Sequence, residues 1–169
     1  MCYTAEDSLR AYAIGVLSSL FLFLNSTDPS LKVIALFLAF VAQMQILDYG
    51  LWQTPTCDEP NEFLTKMAIT VNHLQPIVLT LLQIFYKIPQ SDLSMATLAL
   101  YCLALIPYSI HAYTQVRCTL QEGPILHWKW NYLQYSLPFY GIFLLHFVTA
   151  SLNFPSSSVQ ILAIVTSML

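Results

Sequence analysis

Charge is what this chain of 169 residues most lacks: nine acidic and six basic side chains make up 9% of it, against about 25% in an ordinary soluble domain. A soluble monomer could not hide a sequence that is 57% hydrophobic, and a disordered chain would need far more charge. With net charge −3 and few basic residues, no patch can follow a phosphate backbone, so nucleic acid is not an expected partner. Glycine is scarce too, at four residues, and there is no glycine-rich phosphate loop, GxSxG, HExxH or CxxC. Nucleotide, hydrolase and standard metal chemistry therefore have no motif, and the reading leans away from an enzyme.

What is present is a series of long apolar runs. A spanning helix takes about 20 apolar residues, so the chain holds about five or six with short loops and no large aqueous domain. The expected fold is an all-α, polytopic transmembrane helix bundle forming one integral membrane domain. Five full spans are expected at about residues 8–24, 30–52, 63–86, 93–113 and 131–153, with a short sixth helical segment at 159–169. The sixth is too short for a hydrocarbon core of about 30 Å, so either the chain is cut short there or the segment packs as a partial span.

Local signals support these boundaries. Thr4 is a candidate N-cap with Glu6 and Asp7 in the following turn, and Asp28-Pro29 is an N-cap with proline at the first helical position. The first run follows an acidic segment and lacks a small-x-small site, so it reads as a span and not as a cleaved leader. Pro138 should kink the fifth helix near its start, where Trp128, Trp130, Tyr132 and Tyr135 read as an interfacial aromatic belt.

Counting spans puts the N-terminus and the loops 53–61 and 114–129 on one face, side A, and only short turns on the opposite side B. Arg10, Lys66, Arg117 and Lys129 on side A outnumber Lys32 and Lys87 on side B, which by the positive-inside rule places side A in the cytosol. Cys2, Cys57 and Cys118 also fall on side A, and a disulfide between Cys57 and Cys118 would place that face in an oxidising compartment. Free thiols are the alternative, so orientation stays open.

Depth along the helices isolates a polar constellation. Asp48 and Lys66 lie roughly 5–6 Å below side A on adjacent antiparallel helices, and an ion pair is the economical expectation, because an unpaired charge in a bilayer is costly. Deeper, Gln45 is level with Thr70, and Gln43 with Asn72 and His73. Lys66, Thr70 and His73 share a helical face. Pro76 frees the carbonyl of Asn72, and with Gln75 these groups form an expected polar seam. Glu6, Arg10, His111, His127 and Asn131 are expected to cap it at the surface. The seam serves either as interhelical glue or as a functional pocket.

Several short motifs together resemble a known group: Met1-Cys2-Tyr3-Thr4-Ala5-Glu6, the polar patch Gln45 to Asp48, Cys57 followed by Asn61, His73-Leu74-Gln75-Pro76, and Gly123-Pro124-x-x-His127-x-x-Trp130. They resemble a small family of uncharacterised polytopic membrane proteins found in large DNA viruses of algae and related protists, and in some bacteria. Members commonly carry tryptophan where Tyr3 stands and glutamate in the patch that holds Asp48. The resemblance implies the multi-pass architecture and a viral or protist source, and it supplies no reaction.

Three functional readings follow. The first is a structural or accessory membrane subunit, embedded in lipid and packed against itself or other membrane proteins, with a closed seam. The second is a channel or transporter for protons or a small polar solute, with His73 at its centre. The third is a membrane redox protein using Cys57 and Cys118, or a haem held between His73 and His146. Apart from that haem, no cofactor is expected.

Overall fold

A computed structural model of the chain describes residues 4–123 and 125–167, apart from the side chains of 166 and 167. Met1, Cys2, Tyr3, Pro124 and residues 168–169, which the sequence reading also used, lie outside the described residues. Four long helices come first: α1 (Ala5–Asn25), α2 (Pro29–Gln53), α3 (Glu59–Phe85) and α4 (Asp92–Gln115). A two-stranded hairpin, β1 (Leu120–Glu122) and β2 (Ile125–His127), leads into a 3-10 turn at Lys129–Tyr132, then α5 (Ser136–Ser151) and α6 (Ser157–Ser167).

Each long helix starts at a side-chain cap. Thr4 accepts from the Asp7 N–H at 3.1 Å, Asp28 from Ser30 at 2.8 Å, Asp58 from Asn61 at 3.2 Å and Ser91 from Ser94 at 3.2 Å. These oxygens satisfy N–H groups that a helix cannot pair internally. α3 ends in a Schellman turn: Lys87 takes the left-handed conformation at φ 58°, Ile88 N–H donates to the Gln83 carbonyl and Lys87 N–H to that of Ile84.

Neighbours in sequence pack as neighbours in space, α1 on α2, α2 on α3 and α4 on α5, while α3 also meets α4 and α5 and α6 folds back on α2 and α5. A Cβ on Gly15 would stand 2.9 Å from that of Ala42, so only glycine lets α1 lie this close to α2. Two apolar clusters fill the interior. One joins Val33, Ile34, Phe37, Leu79, Phe147 and Phe154, and the other, beneath the hairpin, joins Met44, Ala68, Ile69, Ala112, Val116 and Trp130.

The outside is apolar as well: Phe21, Phe85 and Leu103 are 70%, 77% and 74% exposed. α1 to α4 are each long and apolar enough to cross a membrane. α5 is shorter than the expected fifth span, at 16 residues or about 24 Å. The expected start at residue 131 fails because the chain first makes the 3-10 turn, and then Tyr135 adopts φ 69°. A left-handed non-glycine residue costs about 1–2 kcal/mol and stops helix from propagating backwards. Pro138 consequently falls in the first turn of α5, where no N–H partner is lost, and not inside a helix that it would kink.

Candidate functional site

The side A end of the bundle is closed by a lid made of residues 116–123 and 125–135. Its anchor is the bond between Cys57, in the α2–α3 loop, and Cys118, just after α4, with Cα atoms 5.5 Å apart. Beside it Asn61, fully buried, donates from its carboxamide to the carbonyls of Thr54 at 2.6 Å and Thr119 at 2.8 Å. Its oxygen accepts from the Thr119 N–H at 3.1 Å, and Thr65 supports the same N–H at 2.8 Å. The end of α2, the start of α3 and the segment after α4 are thus tied through one side chain. Asp58 opens this turn, and hydrogen bonds from the Asn61 N–H and the Thr56 hydroxyl hold its carboxyl below the usual range. Its contribution is therefore complete above the ordinary carboxylate pKa and is lost as pH falls through the lowered one.

Trp130 descends from the lid into the core and is fully buried, stacked on Trp128 with ring centroids 5.4 Å apart. The Tyr108 hydroxyl donates to its backbone carbonyl. The aromatic belt expected at 128–135 therefore divides: Tyr132 and Tyr135 face outward, whereas Trp130 is core. Trp128 is turned toward the Asp48 carboxylate and Trp130 toward the Tyr140 hydroxyl. Asp48 Oδ1 and both indole N–H groups are buried without closing a hydrogen bond of ordinary geometry.

Below this lid sits His73. Its Nδ1 shares a hydrogen bond with the Ser109 hydroxyl at 3.2 Å and its Nε2 faces the Tyr140 hydroxyl at 3.5 Å. The rings of Tyr108, Phe139 and Tyr140 enclose it, with centroids 5.1 to 6.3 Å away. Asn72 donates to the same Tyr140 hydroxyl at 3.0 Å, and Gln75 is buried on the same helix. Tyr101 donates to the His73 carbonyl at 2.6 Å, one residue on from the acceptor expected at Asn72 and within the turn before Pro76.

The expected Asp48 to Lys66 ion pair is replaced by another. Lys66 Nζ lies 2.6 Å from Glu62, one turn earlier on α3, and Arg117 reaches the second Glu62 oxygen at 3.0 Å. Glu62 shares the helical face of Lys66 and the lid brings Arg117 to it, while Asp48 is turned under Trp128. Replacing Lys66 with glutamine should therefore cost less than about 1 kcal/mol, the scale of a partly exposed pair. A buried Asp48 to Lys66 pair would cost about 3–5 kcal/mol, so a denaturant titration of the two proteins separates the cases.

Of the expected surface caps, His127 and Asn131 lie within the lid, and Glu6, Arg10 and His111 lie outside it. Glu6 and Arg10 pair with each other at 3.3 Å on the exposed first turns of α1. His127 meets Glu122 across the hairpin at 3.6 Å, and Asn131 is half-buried in the 3-10 turn with its Oδ1 unpaired. Gln43 bonds to its own helix at Ala39, Gln45 is half-buried on α2, and Thr70 shares a hydrogen bond with the Tyr113 hydroxyl. His111 stands apart on the α4 wall facing α5.

His146 forms a separate buried network, its ring nitrogens 2.9 Å from the Thr80 hydroxyl and 3.1 Å from that of Thr97, with Thr149 2.7 Å from Thr97. All four nitrogens of His73 and His146 thus face hydroxyl groups on other helices. Among the described residues, no group of three or more His, Cys, Asp or Glu is placed to hold a metal ion.

Sequence reasoning missed Asn61 as a buried hub. A signal was available, since Asn61, Thr65 and Ile69 recur every fourth residue and form one fully buried stripe. It also missed the hydroxyls of Tyr101, Tyr108 and Tyr140, which hydropathy counts as apolar. Comparison with protein families, with curated proteins and with solved structures finds no match to this chain.

Proposed function

We propose that the chain is a multi-pass integral membrane protein that serves as a structural or accessory subunit of its membrane, embedded in lipid and associated with itself or with other membrane proteins. The observation that carries this reading is that the deep polar groups are spent on neighbouring helices. His73 is bonded to α4, His146 to α3 and α4, and Gln83 donates to the Ala150 carbonyl at 2.8 Å. Interhelical hydrogen bonds of this kind act as glue where apolar contact with lipid gives helices no reason to associate. Membership in the viral membrane family that the motifs resemble belongs to the same proposal. So does an orientation that puts the disulfide-bearing lid in an oxidising compartment.

One observation favours a second reading, a proton pathway: two buried ionisable groups, Asp48 with an oxygen unpaired and His73, both lie beneath the lid. Liposomes containing a pH-sensitive dye distinguish the two. The structural reading expects carbonate-resistant membrane association and proton leakage equal to that of empty vesicles. Leakage above that level, abolished in His73→Ala, would replace it with the transport reading.

A further inference from the structure

Between α4 and α5 the structure has a groove of about 420 Å³, set apart from the polar seam. Its floor is the stacked pair Tyr108 and Phe139, with centroids 4.0 Å apart, and these two rings separate it from His73. Two prolines shape it, Pro107 inside α4 and Pro138 in the first turn of α5, and Ala104 leaves its inner end wide. Near side A the wall carries the His111 imidazole and the ring of Tyr135, the residue held at φ 69°. Such strain in a non-glycine residue is retained where the placement of the side chain matters.

We propose that this groove is a lipid-binding site, which holds an acyl chain of a bilayer phospholipid with the headgroup phosphate at His111 and Tyr135. The proposal rests on the membrane reading given above. The shape selects the occupant. From His111 to Ala104 is seven residues of helix, about 10 Å of depth, so 420 Å³ corresponds to a cross-section of about 40 Å². A helix with its side chains is 10–12 Å across and does not fit, whereas an extended hydrocarbon chain does. The chemistry agrees. The inner lining is apolar, its polar groups lie at the side A end, and the outward residues Leu103, Ile106 and Leu137 on the same two helices are apolar and exposed. A ligand approaching from the side therefore arrives through hydrocarbon.

The test is photolabelling of the full chain in phosphatidylcholine vesicles that contain phosphatidylcholine with a diazirine on one acyl chain, read by peptide mass spectrometry after flotation. Labelling at Ala104, Phe139 and Ile142 is expected to exceed that at outward Leu103 and Phe21 by about tenfold, the scale on which an apolar pocket discriminates. Ala104→Phe and, independently, Ile142→Trp fill the groove and should remove that excess while Phe21 labelling stays unchanged. Even labelling of groove and outward residues, or an excess that survives both substitutions, overturns the lipid site alone. Labelling of outward residues with none in the groove likewise overturns it. Failure of the chain to float with vesicles overturns the membrane reading and this proposal together.

Discussion

Replacing Trp130 with alanine is expected to destabilise the protein by about 3–5 kcal/mol, the range for emptying a large buried aromatic site. The ring is fully enclosed by the cluster that includes Met44, Ile69 and Val116, against Trp128 on one face, and its own backbone receives the Tyr108 hydroxyl. The lid and the upper helices lose their common wedge at once. A tryptophan at a membrane interface would behave differently, since one face already meets lipid headgroups and little packing is forfeited. Tyr132, 75% exposed two residues on, supplies the control: its replacement by alanine should change stability by less than about 0.5 kcal/mol. Unfolding in mixed micelles, followed by circular dichroism, measures both. Equal effects at the two positions would return Trp130 to the interface.

Asn61→Leu is expected to cost about 3 kcal/mol, even though leucine has nearly the shape of asparagine. The loss is one of satisfaction rather than volume. The Thr119 carbonyl loses its donor in a buried place and the Thr54 carbonyl in a half-buried one, and an unpaired buried polar group costs about 1–3 kcal/mol. The Thr119 N–H keeps Thr65 as an acceptor, which limits the total. Asn61→Asp should be at least as damaging, because it turns an acceptor oxygen toward both carbonyls. Amide hydrogen exchange locates the effect: protection should fall across residues 116–127 and stay unchanged in the middle of α2. A loss of protection spread evenly over the bundle would contradict the role of Asn61 as a local tie.

How much of this was legible in the sequence varies with the kind of information required. The four long helices were readable because run length and caps are local: Asp28-Pro29 and Thr4 act as caps in the structure as their spacing suggests. Position along a helix follows from the constant rise per residue, but α3 starts at Glu59 and not at the expected 63, so Lys66 lies seven residues into its helix while Asp48 lies five from the end of α2. Their partners were not legible. Depth is one coordinate, and the direction in which a side chain leaves its helix, changing by about 100° per residue, decides whether Lys66 meets Asp48 or Glu62. The same limit applies to Trp130 and Tyr132, near neighbours of similar hydropathy that end in the core and outside. The entry of α5 failed for another reason, because the left-handed turn at Tyr135 has no glycine or asparagine to announce it. Cys57 and Cys118 were readable as loop neighbours on one face, whereas Asn61 beside them became visible as a hub only when three segments converged.

The bond between Cys57 and Cys118 also sets an order of events during biosynthesis. The two cysteines are 61 residues apart, and the interval is occupied by α3 and α4. If these helices cross the bilayer, the second thiol reaches the compartment of the first only after α4 has been inserted. The latch therefore closes late in the maturation of the chain, and Trp130, further along, is wedged under a lid whose anchor has just become available. Until then Asn61 has no Thr119 to hold, and the buried stripe of Asn61 and Thr65 on α3 stays uncovered.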